Sequence, residues 1–285
     1  MSYQILTDSC CDFTEVQCKQ WDVVSVPLTV TYNGENHDNF SDEVAVKAFY
    51  DQLRSGVIAT TAAVNPDGWA NAMEPALKAG KDVLILAFSS GLSTTYQSAV
   101  IAAKELREIY PDRTIHVIDT LCAALGQGLL VWHAAKKRDE GMSLEDLAAW
   151  VEANKLNVCH WVTVDDLSHL KRGGRISATT AIVGTMLNIK PIIYVDNDGH
   201  LINTAKVRGR KAAMDYLVKK LSETGTDLDT VFIAHGDCAE DAATLEAMVK
   251  EKCGVKNVIT GYVGPVIGAH TGPGVLVLFF MGSHR

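Results

Sequence analysis

Residues Val83-Leu84-Ile85-Leu86-Ala87-Phe88 form a near-continuous apolar run that passes into Ser89-Ser90-Gly91-Leu92-Ser93 and then into a helical pattern. An apolar run of that length without alternation predicts a strand covered on both faces, the condition of a central strand in a parallel sheet. The helix is read from Ala99, Ala102, Ala103 and Leu106, which share one face, with Thr94 and Gln97 at capping-box spacing. The same alternation recurs on either side. Tyr3–Leu6 reads as a strand leading into Thr7-Asp8-Ser9, and Ile115–Ile118 as another ending in Asp119-Thr120, before an Ala/Leu helix over Cys122–Arg138. Val23–Val30 is a strand broken at Pro27, an edge or a bend, and Val44–Leu53 and Asp67–Leu77 are helices. Repeated β-α units imply a parallel sheet with right-handed crossovers.

The character changes near Asn154–Val158. His160–Val164 predicts a strand, Asp166–Lys171 a short helix, and Ile192–Val195 with Leu201–Val207 a hairpin around Asp196-Asn197-Asp198-Gly199. Helices over Arg210–Leu221 and Ala239–Glu251 alternate with strands over Val231–His235, Val258–Val263 and Val275–Phe280. We therefore expect an α/β protein of two closely packed domains. Residues 1–156 form a parallel-sheet, three-layer domain, and residues 157–285 a smaller α/β domain with a mixed sheet. A length of 285 residues is comfortable for two cores.

Composition narrows the function classes. A net charge of -8 argues against a general nucleic-acid or anionic-membrane binder. No apolar stretch reaches the roughly 18 residues needed to span a bilayer, and Met1–Ile5 lacks the charged and apolar regions of a signal peptide. Seven cysteines with no Cys-x-x-Cys pair read as reduced cytoplasmic thiols rather than a disulfide framework or a zinc site.

Ligands of open parallel sheets sit beyond the carboxyl ends of the strands. Three such ends carry hydroxyl or carboxyl groups: Asp8 with Ser9, the Ser89–Ser93 turn, and Asp119. The N–H groups of the helix after Ser93, its dipole and the hydroxyls suit a small anion, while plain helix capping explains the same residues. The glycines of a phosphate loop and of a dinucleotide fold are missing; Gly126-Gln127-Gly128 lacks a third glycine and lies inside a helical run. The nucleophile-elbow pattern also fails, with Thr95 at its second glycine. A serine acyl hydrolase using Ser93, His270 and Asp8, and a phosphate or nucleotide binder, remain as alternatives. Arg172 and Arg175 flank Gly173-Gly174 and suit a carboxylate, and Gly264–Gly274 shapes a loop around His270.

Four segments together resemble the DegV family of bacterial fatty-acid-binding proteins: Thr7-Asp8-Ser9-x-x-Asp12, Ser89–Ala99, Leu170–Ile176 and Gly268–Gly274. The resemblance implies two α/β domains enclosing one long-chain fatty acid, no cofactor, no metal, no catalysis, a monomeric carrier, and a separate ATP-dependent fatty acid kinase that makes acyl-phosphate for phospholipid synthesis. It implies carboxyl binding by Thr61, Ser93, Thr94, Arg172 and His270. Asp8, Ser9, Ser89, Ser90, Gly91, Gly268, Ala269 and Thr271 are candidate pocket residues. The chain departs from the family at Ala62, Ala63 and Val64, which replace Ser, Gln and Pro, and at Thr94, where glycine is frequent. Burying about fifteen methylenes at ~0.8 kcal/mol each offers roughly 12 kcal/mol gross, so such a ligand calls for a deep apolar tunnel. Its carboxylate must be paired inside. Arg208, Arg210 and Lys211 form a basic cluster that reads as a solvated helix face or as a docking patch for an acidic kinase.

Overall fold

The computed structural model describes residues 3–39, 41–165, 167–176 and 188–285. The N-terminal half contains β1 (Tyr3–Asp8), α1 (Glu15–Gln20), β2 (Val23–Val26), β3 (Thr29–Tyr32), β4 (Glu35–Asp38), α2 (Glu43–Arg54), β5 (Thr60–Ala62), α3 (Pro66–Lys78), β6 (Asp82–Ala87), α4 (Thr95–Ile109), β7 (Ile115–Asp119), α5 (Ala124–Asp139) and α6 (Leu144–Asn154). The C-terminal half contains β8 (Val158–Thr163), α7 (Ser168–Arg172), β9 (Ile189–Val195), β10 (Leu201–Arg208), α8 (Arg210–Thr224), β11 (Gly225–His235), α9 (Ala239–Cys253), β12 (Asn257–Tyr262), α10 (Pro265–Thr271) and β13 (Leu276–Gly282). The predicted helix over Asp166–Lys171 thus corresponds to α7, and Asp166 itself lies outside the described residues.

The first sheet is parallel, in the order β2-β1-β6-β7. Every residue of β1 and β6 is buried, as the apolar run over Val83–Phe88 requires of a strand covered on both faces. Pro27 ends β2 at the sheet's edge, and the chain then enters a separate antiparallel sheet, β4-β3-β5. The second large sheet is mixed, in the order β10-β9-β8-β13-β11-β12, with β11 and β12 parallel and its other pairs antiparallel.

Helix α5 packs against strands of both large sheets. Two glycines make this possible. A β-carbon on Gly128 would fall 2.6 Å from Phe13 and 2.8 Å from the Cys11 carbonyl, in the N-terminal half. One on Gly126 would fall 2.2 Å from His160 Nε2 and 2.7 Å from Phe279, in the C-terminal sheet. One hydrophobic cluster accordingly runs through both halves, joining Leu84 and Leu86 to Leu129, Val277 and Phe279. The seam also closes where the β9–β10 turn meets the β6–α4 turn. Ser89 Oγ donates to the Gly199 carbonyl at 2.9 Å, and a β-carbon on Gly91 would lie 2.8–2.9 Å from the Asp198–Gly199 backbone. Among the described residues no helix is long and apolar enough to cross a membrane.

Candidate functional site

A cavity of about 410 Å³ lies between the two halves. Its C-terminal wall follows from strand register. On β9, β8 and β13, side chains alternate between faces, and the inward set forms two cross-strand rows. Val195, His160 and Phe279 make one row, and Ile193, Val162 and Val277 the next. Val275 continues the β13 line toward α10, so the wall runs four residues, about 13 Å at 3.3 Å per residue, from Val275 to Phe279.

The polar groups gather at the Val275 end. Thr61, on β5, and His270, near the end of α10, are joined by a Thr61 Oγ1–His270 Nε2 hydrogen bond of 2.8 Å. Burial, reinforced by the nearby Arg175 guanidinium, lowers the His270 pKa to about 4 and keeps the ring neutral. The ring fits because Gly173 has no side chain: a β-carbon there would fall 2.1 Å from Nδ1. Ser93 lies on the wall beside Thr94, its Oγ 2.9 Å from Thr95 Oγ1 and accepting from the Thr95 amide at 3.2 Å. Arg175 reaches the wall from beyond α7, anchored by donation from Nε to the Leu92 carbonyl at 3.2 Å and from its guanidinium to the Gly173 carbonyl. Two hydroxyls, a neutral imidazole and a guanidinium therefore line a cavity whose wall is otherwise mostly apolar. That set can hold a carboxylate.

His160 sits at the opposite end. Its Nε2 accepts from the Ala123 amide at 3.2 Å and its Nδ1 bonds the Val158 carbonyl at 3.0 Å, so the ring is neutral with its proton on Nδ1. Complete burial lowers its pKa to about 3. Together with Ala123, Ala124 and Phe279 it closes the apolar end.

Several expected residues are elsewhere. Arg172 is exposed and does not line the cavity; Arg175, on the other side of the Gly173-Gly174 turn, does. Asp8 accepts from the Cys10 and Phe88 amides at 3.0 and 2.7 Å, and burial raises its pKa to about 6. Ser9 accepts from the Leu28 amide, and Ser89 and Gly91 seal the seam. Gly268 admits Tyr50, whose hydroxyl would lie 2.7 Å from a β-carbon there, and Ala269 is buried in the core beside it. Of the candidate pocket residues, Ser90 and Thr271 do line the cavity.

Three local expectations are corrected. The Thr94–Gln97 capping box does not form, because Ser93 supplies the cap to the Thr95 amide. The loop around His270 contains a helical turn, α10, with Pro265 at its start. Of the helix amides expected to face an anion, that of Thr95 is taken by Ser93 Oγ; in the preceding turn Ser90 donates to Asp119 Oδ1, and Gly91, Leu92 and Ser93 donate to Ser89. The basic cluster is largely neutralised, with Arg210 bonded to Asp241 and Lys211 to Asp215, while Arg208 is exposed. Ser93 and His270 share no hydrogen bond, and Asp8 is committed to backbone amides, which leaves the hydrolase alternative without a nucleophile–base pair.

Comparison with known proteins adds the following. The sequence profile described as DegV, uncharacterised protein of the DegV family, matches residues 2–282. A DegV domain-containing protein of Clostridium perfringens is 46% identical over 286 residues, covering 99% of this chain and 98% of that protein. A DegV lipid-binding protein from Thermotoga maritima superposes with a TM-score of 0.88 at 27% identity, covering 100% of both chains. A fatty-acid-binding DegV family protein from Thermus thermophilus does so with a TM-score of 0.86 at 29% identity, over 98% of this chain and 99% of that one.

Proposed function

This chain belongs to the DegV family, and from that premise we propose that it binds one long-chain fatty acid, with the carboxyl group among Thr61, Ser93, Arg175 and His270. The carrying observation is the make-up of the cavity wall: Thr61, Ser93, Arg175 and His270 offer polar groups to a cavity whose other lining residues are mainly apolar, the exceptions being Ser90, Thr94, Thr271 and a neutral, internally bonded His160. A carboxylate entering with its chain meets a positive charge at Arg175 and hydroxyl donors at Thr61 and Ser93, so its desolvation is offset. The chain itself replaces water along the Val–Ile–Phe rows. The head-group end lies next to exposed Ala62 and Thr94, so the carboxyl oxygens are within a partner's reach. In this reading the protein is a carrier, not a catalyst, and a separate ATP-dependent fatty acid kinase phosphorylates the acid it presents.

The test is mass spectrometry of the denatured, as-purified protein, followed by rebinding of oleate or palmitate after delipidation. One equivalent of a long-chain acid is expected. Loss of the charge-assisted contact in Arg175→Gln weakens binding by tenfold or more, since such bonds contribute about 1.5–3 kcal/mol, whereas Arg172→Gln leaves it within about twofold. No acid in repeated preparations, and no binding of either added acid, would sink the reading. A greater loss in Arg172→Gln than in Arg175→Gln would return the carboxyl contact to Arg172.

A further inference from the structure

Strand β5 of the small sheet brings Thr61 and Ala62 to the cavity, whereas β4, on the other side of β3, lines none of it. The residue that follows β4 is Asn39, and it reaches across the seam. Its backbone amide donates to the Leu28 carbonyl at 2.7 Å, and its Nδ2 donates to the Ser9 carbonyl at 2.8 Å, both in the N-terminal half. Its Oδ1 accepts from the Val266 amide at 2.9 Å, in α10 of the C-terminal half.

Helix α10 has no cap of its own. Gly264 stands at the N-cap position without a side chain, and Pro265 has no N–H, so the Val266 amide is the first donor the helix presents. A side-chain oxygen at that place satisfies an amide that the helix itself leaves over, the usual task of a capping residue in the same chain segment. Here it comes from a residue more than two hundred positions away. Tyr50, fully buried on α2, adds a second strut from the same half by donating its hydroxyl to the Val263 carbonyl at 2.8 Å.

The helix so held supplies Val266, Ile267, His270 and Thr271 to the cavity wall. One small sheet therefore meets it at two points: Asn39, just past β4, at Val266, and Thr61, on β5, at His270. Thr61 and His270 come from different halves, so the 2.8 Å between them depends on how α10 sits against the sheet that carries Thr61.

We infer that Asn39 is a positioning residue for the carboxyl site: by capping α10 from the sheet that bears Thr61, it holds His270 at hydrogen-bond distance from Thr61. This rests on the carboxylate reading of the cavity, and it gives the β3–β4 hairpin a task in ligand binding. Without the cap the start of α10 is released from the sheet, and the imidazole loses its fixed place beside the Thr61 hydroxyl.

The test is a double-mutant cycle read by oleate competition on the delipidated protein. Asn39→Ala should weaken oleate binding about fivefold, the factor that loss of a typical N-cap allows, and the loss should shrink to about twofold or less when His270 is already alanine. Asn36→Ala is the control: it removes the Thr31 Oγ1–Asn36 Oδ1 bond of the same hairpin and no bond to α10, and should stay within about twofold. A second readout needs no ligand. In proton–nitrogen correlation spectra of the isotope-labelled, delipidated protein, the His270 ring signals, identified by their loss in His270→Ala, should shift in Asn39→Ala and hold in Asn36→Ala. Unmoved ring signals in Asn39→Ala overturn the proposal. Where His270→Ala itself weakens binding, equal losses from Asn39→Ala with and without the imidazole overturn it as well. Where His270→Ala leaves binding intact, it is the carboxyl reading that loses His270, and the ring signals alone decide whether Asn39 places the ring.

Discussion

His160 offers the sharpest test of the electrostatics, because its ring is completely buried, bonded on both nitrogens and held neutral with a pKa of about 3. In the unfolded chain the same imidazole titrates near the ordinary value of about 6.5. Between pH 3 and pH 6.5 the unfolded state therefore binds more protons, and stability from this residue falls as the solution is acidified below 6.5. At pH 5 the unfolded ring is almost fully protonated and the folded one almost not. The linkage integral from pH 8 to pH 5 is then about 2 kcal/mol lost. The absolute loss is partly masked, since burial raises Asp8 to about 6 and that carboxyl favours the fold as pH drops through the same window. A difference experiment removes the mask. Urea unfolding of delipidated wild type and His160→Gln, each at pH 8 and pH 5, should show a pH-induced loss about 2 kcal/mol larger in the wild type. Glutamine keeps an acceptor for the Ala123 amide, so the variant retains the local bonding. Parallel pH dependences would refute the assignment of a buried, neutral ring.

Other outcomes follow from contacts already described. Gly173→Ala places a β-carbon 2.1 Å from His270 Nδ1, so the ring must move; oleate binding should weaken about tenfold by fluorescence competition, although residue 173 does not line the cavity. Val277→Trp fills the middle row of the wall and should cut the acid bound per protein at least fivefold by mass spectrometry while the far-ultraviolet circular dichroism is unchanged. Ser89→Ala leaves the Gly199 carbonyl without its donor and should cost about 1–3 kcal/mol, lowering the calorimetric midpoint by several degrees. Adding acid at 100 times its Kd to the delipidated protein should stabilise it by about 2.7 kcal/mol, and a midpoint that does not move would contradict specific binding.

The parallel sheet was legible because a strand buried on both faces has no polar alternation to hide it, and Val83–Phe88 states that condition directly. Pro27 was legible as a break, but only the fold turns the break into a change of sheet. The β3–β4 hairpin escaped notice since β4 is polar and exposed, yet its turn carries the mark: Asn33 and Gly34 both have positive φ, at 52 and 80. Strand β5 is three residues held by pairing with Thr29–Thr31, a long-range contact that no local pattern announces. At the site, Thr61, Ser93 and His270 all line the cavity. The choice between Arg172 and Arg175 was beyond sequence spacing, because two glycines between them leave the turn's direction open until the Leu92 carbonyl captures Arg175. His160 was equally hidden. Its place beside Phe279 depends on the register of two strands distant in the chain.

The double-sided helix α5 has a bearing on how such proteins change over generations. With Gly128 pressed against one half and Gly126 against the other, a new side chain on either glycine must be accommodated by a strand or turn from a different part of the chain. Each half has a cluster of its own, but a break near residue 156 would also divide the shared one, leaving each segment with an uncovered face of it. Shuffling one half with that of a distant relative would mismatch the helix to its second sheet. The relatives accordingly align along essentially all of the chain rather than over either half.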